Sequence, residues 1–347
     1  MIELRSNPED ISSEWLTEVV RAGGYEGQVE QFSAQSIGTG QVGENVRFTL
    51  EGEAIPRSIV GKFPSTDPVS RQTGIEQNNY TREVFFYQHI QSTVNIQTPK
   101  IFYTDIDPTT QAFALMMEDL APGVQGDQLA GCSADDAALA LEQLAHLQGP
   151  RWADEALAKE ELLGGMSNRQ DTQPLHDFYA LLMQGYLERY AHRLTSEELK
   201  ATESLLPHLL NYQQIYAGQP LALVHGDYRL DNMMFGGPYP LTVVDWQSYA
   251  MGCPVLDVSY FMGTSLAPDV RRIEERALIK HYLDVLNHYG AGLRFDDCWR
   301  YYINYSPAGM IMALIASMIV GETPRGNDMF MVMAKGSIAL ALDHDRL

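Results

Sequence analysis

Two short polar segments joined by a hairpin pattern constrain the fold of this chain more than any other feature. Residues 225–232 read His-Gly-Asp-Tyr-Arg-Leu-Asp-Asn, and residues 243–247 read Val-Val-Asp-Trp-Gln. Between them, residues 233–235 and 241–244 have the apolar character of two short strands around a Gly-Gly-Pro turn. The strands of a hairpin end beside each other, so the pattern predicts that the two polar segments meet at its open end.

Three oxygen-bearing side chains converge at that predicted meeting point. Asn232 follows Asp227 by five residues, and Asp245 follows Asp227 by eighteen. Phosphoryl transfer from ATP requires oxygen ligands for Mg²⁺ and a carboxylate beside the attacking hydroxyl. The pattern is therefore typical of a kinase catalytic site. The alternative is a surface loop whose Asp and Asn side chains bond to nearby backbone groups.

The two segments resemble the catalytic and metal-binding segments of the aminoglycoside phosphotransferase and choline kinase-like superfamily of small-molecule kinases. The resemblance implies that Asp227 is the catalytic base or hydroxyl-positioning residue and that Asn232 and Asp245 bind magnesium. His225 would hold the catalytic loop in place. Within the superfamily, the wording of residues 227–232 resembles the ecdysteroid kinase-like and acyl-CoA dehydrogenase-associated phosphotransferases.

The same resemblance implies an α+β, protein-kinase-like two-lobe fold. A small antiparallel-sheet lobe is expected over residues 1–117 and a larger, mostly helical lobe over residues 118–347, with the hinge at about 116–120. The backbone at the hinge would hydrogen-bond the adenine, although an ordinary strand end would have the same residues. The candidate adenine contacts are Met117, Glu118 and Asp119.

A glycine-rich segment lies near the N-terminus, where residues 38–43 read Gly-Thr-Gly-Gln-Val-Gly. After it, residues 45–50 alternate between polar and apolar, which indicates a strand, whereas a dinucleotide-binding loop would open a helix. A glycine-rich turn between two strands is the kinase form, in which backbone amides cover the phosphates. An ordinary hairpin loop is the alternative. The candidate phosphate contacts are Gly38, Gly40 and Gly43.

The next apolar strand, residues 58–63, carries a lone lysine, Lys62. Kinases use such a lysine to hold the α- and β-phosphates and pair it with a glutamate on a helix. Glu83 is the candidate partner, because it lies on the apolar stripe of a helical pattern over residues 80–90, where a carboxylate is costly to bury without a counter-charge. The alternative is that Glu83 lies at the edge of the stripe and reaches solvent.

Two further residues near the motif are candidate supporting residues. Residues 252–257 resemble the superfamily's Gly-x-Pro-x-x-Asp, which implies that Asp257 braces the catalytic loop; a helix N-cap is the alternative. Arg229 would steady the transferring phosphate, face solvent or pair with Asp231. Only twelve residues separate Asp245 from Asp257, which leaves no room for the activation segment of a protein kinase. The chain is therefore expected to act on a small molecule.

The charge and composition limit the partners. With 24 basic and 45 acidic residues, the net charge of −21 argues against a nucleic-acid partner. It is compatible with a cationic substrate, and a solvated acidic surface explains it equally well. Three scattered cysteines show no disulfide framework or zinc spacing and indicate a cytoplasmic protein. The longest apolar run, residues 308–321, predicts a buried core helix and no membrane span.

These features together predict an ATP- and Mg²⁺-dependent phosphotransferase that moves the γ-phosphate to a hydroxyl of a small molecule. The alternative is a catalytically silent ATP-binding sensor or scaffold with a kinase-like fold. Degenerate kinases usually lose the lysine, the catalytic aspartate or a metal ligand. All of these candidates are present here, which favours the enzyme.

Overall fold

The computed structural model describes residues 2–38, 42–164, 173–216 and 218–347. The chain packs into two compact units, each with its own core. The first unit comprises residues 1–93, 97–124 and 236–248, and the second comprises residues 94–96, 125–235 and 249–347. The predicted boundary at 117/118 therefore lies within the first unit, a few residues before the chain enters the second at 124/125.

The strands and helices follow one another along the chain with short connections. The strands are β1 (Gln31–Ile37), β2 (Gly43–Glu51), β3 (Ser58–Pro64), β4 (Ile101–Ile106), β5 (Phe113–Glu118), β6 (Val124–Gln125), β7 (Ala222–Val224), β8 (Met233–Phe235), β9 (Leu241–Val243) and β10 (Ala250–Gly252). The α-helices are α1 (Ser13–Ala22), α2 (Pro68–Glu76), α3 (Asn79–Phe85), α4 (Ala134–Gln148), α5 (Glu155–Ala158), α6 (Gln173–Tyr190), α7 (Ser196–Tyr216), α8 (Val255–Ser265), α9 (Pro268–His288), α10 (Phe295–Asn304), α11 (Ala308–Ile319) and α12 (Pro324–Asp343).

The first unit is built on an antiparallel sheet with the strand order β1-β2-β3-β5-β4. In β2 the apolar residues Val46, Phe48 and Leu50 are buried, as the period-two pattern predicts. They share a core with Trp15 and Leu16 of α1. Burying each such side chain stabilises the fold by about 1.5–3 kcal/mol. This core makes the sheet a firm base for residues on β3.

The helix that follows β3 has the predicted apolar stripe but an unexpected end. Tyr80, Glu83 and Val84 of α3 are all buried. A π-helical turn over Phe86–Ile90 then continues α3 with wider spacing. Phe86 in this turn stacks on Trp246 with 3.7 Å between ring centroids. Because π-helical turns are often found at functional sites, this end of α3 points to the region around Trp246.

The second unit is mostly helical, and α8 lies at its centre. All residues of α8 from Asp257 to Ser265 are buried. A β-carbon on Gly336 of α12 would lie 2.3 Å from the backbone oxygen of Gly263 of α8. Glycine is therefore required where the two helices cross, and the close crossing fixes α8 against α12.

One helical stretch in the described part of the chain, Phe295–Ile319, is long and apolar enough to cross a membrane by composition alone. Of its most apolar window, 61% is buried inside the molecule. Met310 and Leu314 of α11 are completely enclosed. This burial is typical of a core helix, which the fourteen-residue apolar run predicts.

Candidate active site

The predicted catalytic loop connects β7 to β8 in the second unit. The short antiparallel pair of β7 with β10 places Val224 opposite Ala250, so the chain after β10 starts beside the loop. Gly226 has φ +80°, a left-handed conformation that favours glycine. A 3-10 turn over Leu230–Asn232 ends the loop. The sequence His-Gly-Asp thus provides the sharp turn that presents Asp227.

Asp257 holds the start of this loop. Its carboxylate accepts hydrogen bonds from the backbone N–H of His225, at 2.6 Å, and of Gly226, at 3.1 Å. Asp257 is completely buried in the first turn of α8, and the cap residue of that helix is Pro254. The carboxylate therefore serves the loop backbone, and the N-cap alternative does not describe its contacts.

Asp227 is surrounded by hydrogen-bond donors. Tyr260 donates its hydroxyl to Oδ1 at 2.8 Å, and Arg229 donates Nε to both oxygens at 3.1 Å. Asn232 donates Nδ2 to Oδ2 and to the backbone oxygen of Asp227, each at 2.9 Å. Burial favours the neutral acid, but the charge of Arg229 and the hydroxyl of Tyr260 outweigh it and hold the pKa of Asp227 below its usual range. Asp227 is therefore an anionic acceptor at neutral pH.

The orientation of Asn232 suits a metal ligand. Its amide nitrogen is used by Asp227, so Oδ1 is the atom that faces away and can bind a cation. The side chain is nearly buried at 5% exposure. An amide oxygen fits the preference of Mg²⁺ for hard oxygen ligands.

Arg229 joins Asp227 to a chain of ion pairs. Its Nη1 donates to Asp231 at 2.7 Å, so the predicted pairing with Asp231 is present together with the contact to Asp227. Arg325 of α12 donates to both oxygens of Asp231 at 3.0 Å and to Asp127 at 3.1 Å. The guanidinium of Arg229 is therefore engaged by carboxylates on two sides.

Sequence reasoning missed Tyr260 and Arg325. Tyr260 follows Asp257 by three residues, and side chains with that spacing lie on the same face of a helix. That spacing is the signal that could have revealed Tyr260. Arg325 lies 94 residues from Asp231, and no local pattern links the two.

In the first unit, Lys62 forms a buried ionic cluster. Its Nζ lies 2.7 Å from Glu83 and 2.9 Å from Asp245. Glu83 is only 2% exposed, so its carboxylate does not reach solvent at the edge of the stripe. Burial would lower the pKa of Lys62, but the two carboxylates outweigh it and raise that pKa. Lys62 is therefore a fixed cation within reach of Asp245.

Asp245 has an unusual backbone. Its φ of +69° lies in the left-handed region, which Asp and Asn tolerate better than most residues. Oδ1 accepts from Lys62, and Oδ2 accepts from Gln247 at 3.3 Å. Backbone strain of about 1 kcal/mol at such a residue persists where its side chain has a role. The meeting of Asp245 with Asn232, which the hairpin pattern predicts, stays a prediction.

The glycine-rich segment connects β1 to β2, as the sequence predicts. Gly38 has φ +74° at the end of β1, and Gly43 begins β2. A β-carbon on Gly43 would lie 3.1 Å from Cε of Lys62, so glycine gives that side chain room. Gly40 lies outside the described residues.

The three candidate adenine contacts lie at the end of β5. Met117 and Glu118 are within the strand, which pairs with β3 on one side and β4 on the other. The N–H of Glu118 donates to the backbone oxygen of Lys100 at 2.9 Å, and the carboxylate of Glu118 accepts from the N–H of Lys100 at 2.7 Å. Sheet bonds therefore use much of the edge that Met117 and Glu118 present.

Asp119, the first residue after β5, makes side-chain contacts within the first unit. Its carboxylate accepts two hydrogen bonds from Arg47, at 2.7 and 3.0 Å, and one from Ser58 at 2.7 Å. Burial opposes ionisation, but the bonds from Arg47 and Ser58 outweigh it and lower the pKa of Asp119. The Asp119 side chain thus anchors the end of β5 to β2 and β3.

Comparison with known proteins identifies the family. The model of the ecdysteroid kinase-like family matches residues 45–295, which include Lys62, Asp227 and Asp257. The chain belongs to this family. Acyl-CoA dehydrogenase family member 10 of Mus musculus is 27% identical to this ecdysteroid kinase-like chain over 138 residues, 35% of the chain. That match spans only 13% of the mouse protein.

Solved structures of small-molecule kinases share the fold of this ecdysteroid kinase-like protein. Plasmodium vivax ethanolamine kinase aligns with a TM-score of 0.53 at 12% identity, covering 88% of this chain and 82% of that one. Choline kinase from Cryptosporidium parvum aligns at 0.51 and 10% identity, covering 91% of both chains. The GDP and kanamycin complex of APH(2″)-IIIa aligns at 0.50 and 16% identity, covering 96% and 99%. The fold is therefore the α+β, protein-kinase-like fold, with an N-terminal antiparallel sheet and a helical C-terminal part.

Within the described ranges, no three His, Cys, Asp or Glu side chains form a group that could hold a metal ion. The candidate magnesium ligands here are one carboxylate and one amide oxygen. A kinase magnesium site uses one or two protein side chains and completes its shell with phosphate oxygens and water.

We expect the stabilising contribution of Asp257 to fade as the pH rises. Burial raises the pKa of its carboxyl to about 7, against the opposing N–H donors of His225 and Gly226. The contribution of a group with a raised pKa is complete below about pH 4 and is lost as the pH rises through the folded-state value. Relative to Asp257→Asn, the wild-type protein should lose about 2–3 kcal/mol of unfolding free energy between pH 5 and pH 8, measured by urea denaturation. A constant difference would show that the two N–H donors keep the carboxyl ionised throughout.

Proposed function

We propose that this ecdysteroid kinase-like protein transfers the γ-phosphate of ATP to a hydroxyl group of a small molecule. The observation that carries the proposal is the environment of Asp227, an anionic carboxylate fixed by Tyr260, Arg229 and Asn232. A carboxylate held in this way can orient an acceptor hydroxyl and take up its proton. The family and the fold agree with a small-molecule phosphotransferase.

We assign the nucleotide contacts to residues of the first unit. Lys62 would bind the α- and β-phosphates, since its ammonium is kept charged by Glu83 and Asp245. The backbone of the glycine-rich segment, including Gly38, Gly40 and Gly43, would cover the phosphates. Because Met117 and Glu118 are engaged in the sheet, the adenine contacts are expected at the backbone from Asp119 onward.

We assign magnesium binding to Asn232 and Asp245. Both residues offer oxygen atoms, which fit a hard cation, and Asn232 Oδ1 is the amide atom not used by Asp227. When bound, magnesium would neutralise the charge that develops on the phosphate oxygens. His225 and Asp257 would hold the loop in shape, and Arg229 would hold Asp227 rather than the phosphate.

The transfer itself needs little covalent chemistry from the protein. As the acceptor oxygen bonds to the γ-phosphorus, the bond to the β–γ bridging oxygen breaks and ADP leaves. The proton of the acceptor hydroxyl passes to Asp227. Because the transition state is loose, most of the acceleration comes from positioning and from charge neutralisation.

The acceptor is a small molecule with a free hydroxyl, and its charge is an open choice between two classes. The net charge of −21 is compatible with a cationic acceptor. However, Asp231 and Asp127, the carboxylates next to the catalytic loop, are each paired with arginine. A screen should therefore include neutral polycyclic alcohols together with ethanolamine, choline and aminoglycosides.

The silent-sensor alternative is less well supported. Lys62, Glu83, Asp227, Asn232 and Asp245 are all present with side chains placed in ordered contacts. A cytoplasmic location is proposed with the enzyme, because ATP is its co-substrate and Cys132, Cys253 and Cys298 are all free thiols.

Magnesium-dependent nucleotide binding tests the proposal directly. Thermal stability would be measured with a non-hydrolysable ATP analogue, with and without Mg²⁺, for the wild type and Asp245→Asn. Asparagine is preferred to alanine because residue 245 has φ +69°. The wild type should gain about 2.7 kcal/mol at a ligand concentration of 100 Kd, and the variant should lose the magnesium-dependent part of that gain.

Asp345→Asn is the matched control for this experiment. Asp345 also has a positive φ, of 54°, but it is exposed near the C-terminus. This variant should keep the full magnesium-dependent shift. A wild-type protein with no nucleotide shift at all would contradict the proposed kinase function.

A further inference from the structure

Helix α8 contacts the catalytic loop through two side chains on one face. Asp257 accepts from the loop backbone at His225 and Gly226. One turn later, Tyr260 donates its hydroxyl to Oδ1 of Asp227 at 2.8 Å. The first contact fixes the start of the loop, and the second fixes the side chain that the loop presents.

The hydroxyl of Tyr260 is a permanent donor. The residue is 3% exposed. Burial, together with the charge of Asp227, raises the pKa of Tyr260 well above its usual value. The phenol therefore keeps its proton throughout the physiological range and has a carboxylate as its acceptor. A bond between a neutral donor and an ionised acceptor is stronger than one between two neutral groups.

The helix that carries Tyr260 is itself held firmly. Gly263 meets Gly336 of α12 at backbone contact distance. At the end of α8, Gln128 donates to the backbone oxygen of Thr264 at 2.6 Å. The same glutamine accepts from the N–H of Leu230 in the loop at 2.9 Å. The helix and the loop are therefore fixed to each other at both ends of the segment that contains Tyr260.

The donors to Asp227 differ in what they are attached to. Arg229 and Asn232 belong to the same loop as Asp227 and move with it. Tyr260 comes from α8, so its bond relates the carboxylate to the rigid interior of the second unit. Losing the hydroxyl would leave the loop contacts intact but would release the carboxylate from that external reference.

We propose that Tyr260 is a positioning residue that holds the carboxylate of Asp227 in the orientation that receives the acceptor hydroxyl. This inference rests on the proposed role of Asp227. Tyr260 itself gives up no proton in the reaction: the acceptor proton goes to Asp227, and the phenol hydrogen bond is present before and after transfer. Its contribution is geometric, and misplacement of a catalytic group by about 1 Å costs on the order of 100-fold in rate.

Tyr260→Phe, compared with Tyr228→Phe, tests the proposal. Tyr228 is also completely buried beside the loop, but its hydroxyl donates to the backbone oxygen of Ala140 at 2.6 Å. Each variant loses one buried hydroxyl, so the two should lose similar amounts of thermal stability. Two measurements separate them: the position of Asp227 in crystal structures of both variants, and the rate of MgATP hydrolysis with water as the acceptor.

For Tyr260→Phe we expect a displaced or disordered Asp227 carboxylate and a kcat for hydrolysis lower by about 10- to 100-fold, with the KM for ATP within about twofold of wild type. Tyr228→Phe should keep the position of Asp227 and a kcat within about twofold of wild type. A merely structural role for Tyr260 would lower the stability of both variants and leave kcat unchanged.

Each other outcome has a definite meaning. An unmoved Asp227, or a displaced Asp227 with unchanged kcat, would overturn the proposal for Tyr260. A wild-type protein without MgATP turnover, either with water or with the alcohols screened, would overturn the proposed function. In that case a displaced Asp227 in Tyr260→Phe would still establish the positioning contact, so the two failures can be told apart.

Discussion

Replacing Asp227 with asparagine should abolish phosphoryl transfer and leave nucleotide binding almost unchanged. Asparagine has the volume of aspartate but cannot take up the proton of the acceptor hydroxyl. It also cannot accept from Tyr260, Arg229 and Asn232 together, because one of its two terminal atoms is a donor. General-base catalysis contributes about 10²- to 10⁴-fold, and we expect kcat to fall by that amount.

The affinity for the ATP analogue should stay within about threefold of wild type, because the proposed phosphate contact is Lys62 and not Asp227. Asp127→Asn is a suitable control, since Asp127 belongs to the same network of ion pairs through Arg325 but does not contact Asp227. The control should retain its kcat. An equal loss of analogue affinity and kcat in Asp227→Asn would show that Asp227 acts in nucleotide binding, and the assigned role would be wrong.

Sequence reasoning works well here where the signal is local. The alternation over residues 45–50 predicts a strand because successive side chains point to opposite faces, and β2 has that burial pattern. The stripe on α3 predicts a buried Glu83 because helical spacing leaves no other face for it. In both cases the periodicity of a single element determines which side chains are buried.

The features that the sequence does not reveal depend on distant parts of the chain. The π-helical turn at Phe86–Ile90 accompanies the stacking of Phe86 on Trp246, which is 160 residues away in sequence. The ion pairs of Arg325 with Asp231 depend on where α12 begins relative to the loop. No periodic pattern contains such relations, because they are set by the packing of whole elements.

Tyr260 is an intermediate case, and it shows how the two kinds of information combine. A tyrosine on a helix that is buried on all sides gives no amphipathic signal. Its role becomes visible only after Asp257 is placed against the loop, because the three-residue spacing then brings the hydroxyl to Asp227. A motif residue can therefore predict its supporting neighbour once the helix that carries both is known.

Lys62→Met should be the most destabilising single change in the first unit. The substitution leaves the carboxylate of Glu83, at 2% exposure, without its counter-charge and beside that of Asp245. Breaking a buried ion pair by removing one partner costs about 3–5 kcal/mol, because the remaining charge stays desolvated. We expect a loss of that size in the unfolding free energy measured by urea denaturation, together with the loss of nucleotide affinity.

The double variant Lys62→Met/Glu83→Leu separates the structural from the functional effect. Replacing both partners of a buried pair with apolar residues is often neutral or stabilising, so the double variant should recover most of the lost stability. It should not recover nucleotide binding, since the proposed phosphate contact is still missing. If the double variant were as unstable as Lys62→Met, the cost would lie in repacking around β3 rather than in the isolated charge of Glu83. Recovery of stability without recovery of binding would instead show that the buried pair is retained for the phosphates and not for the fold.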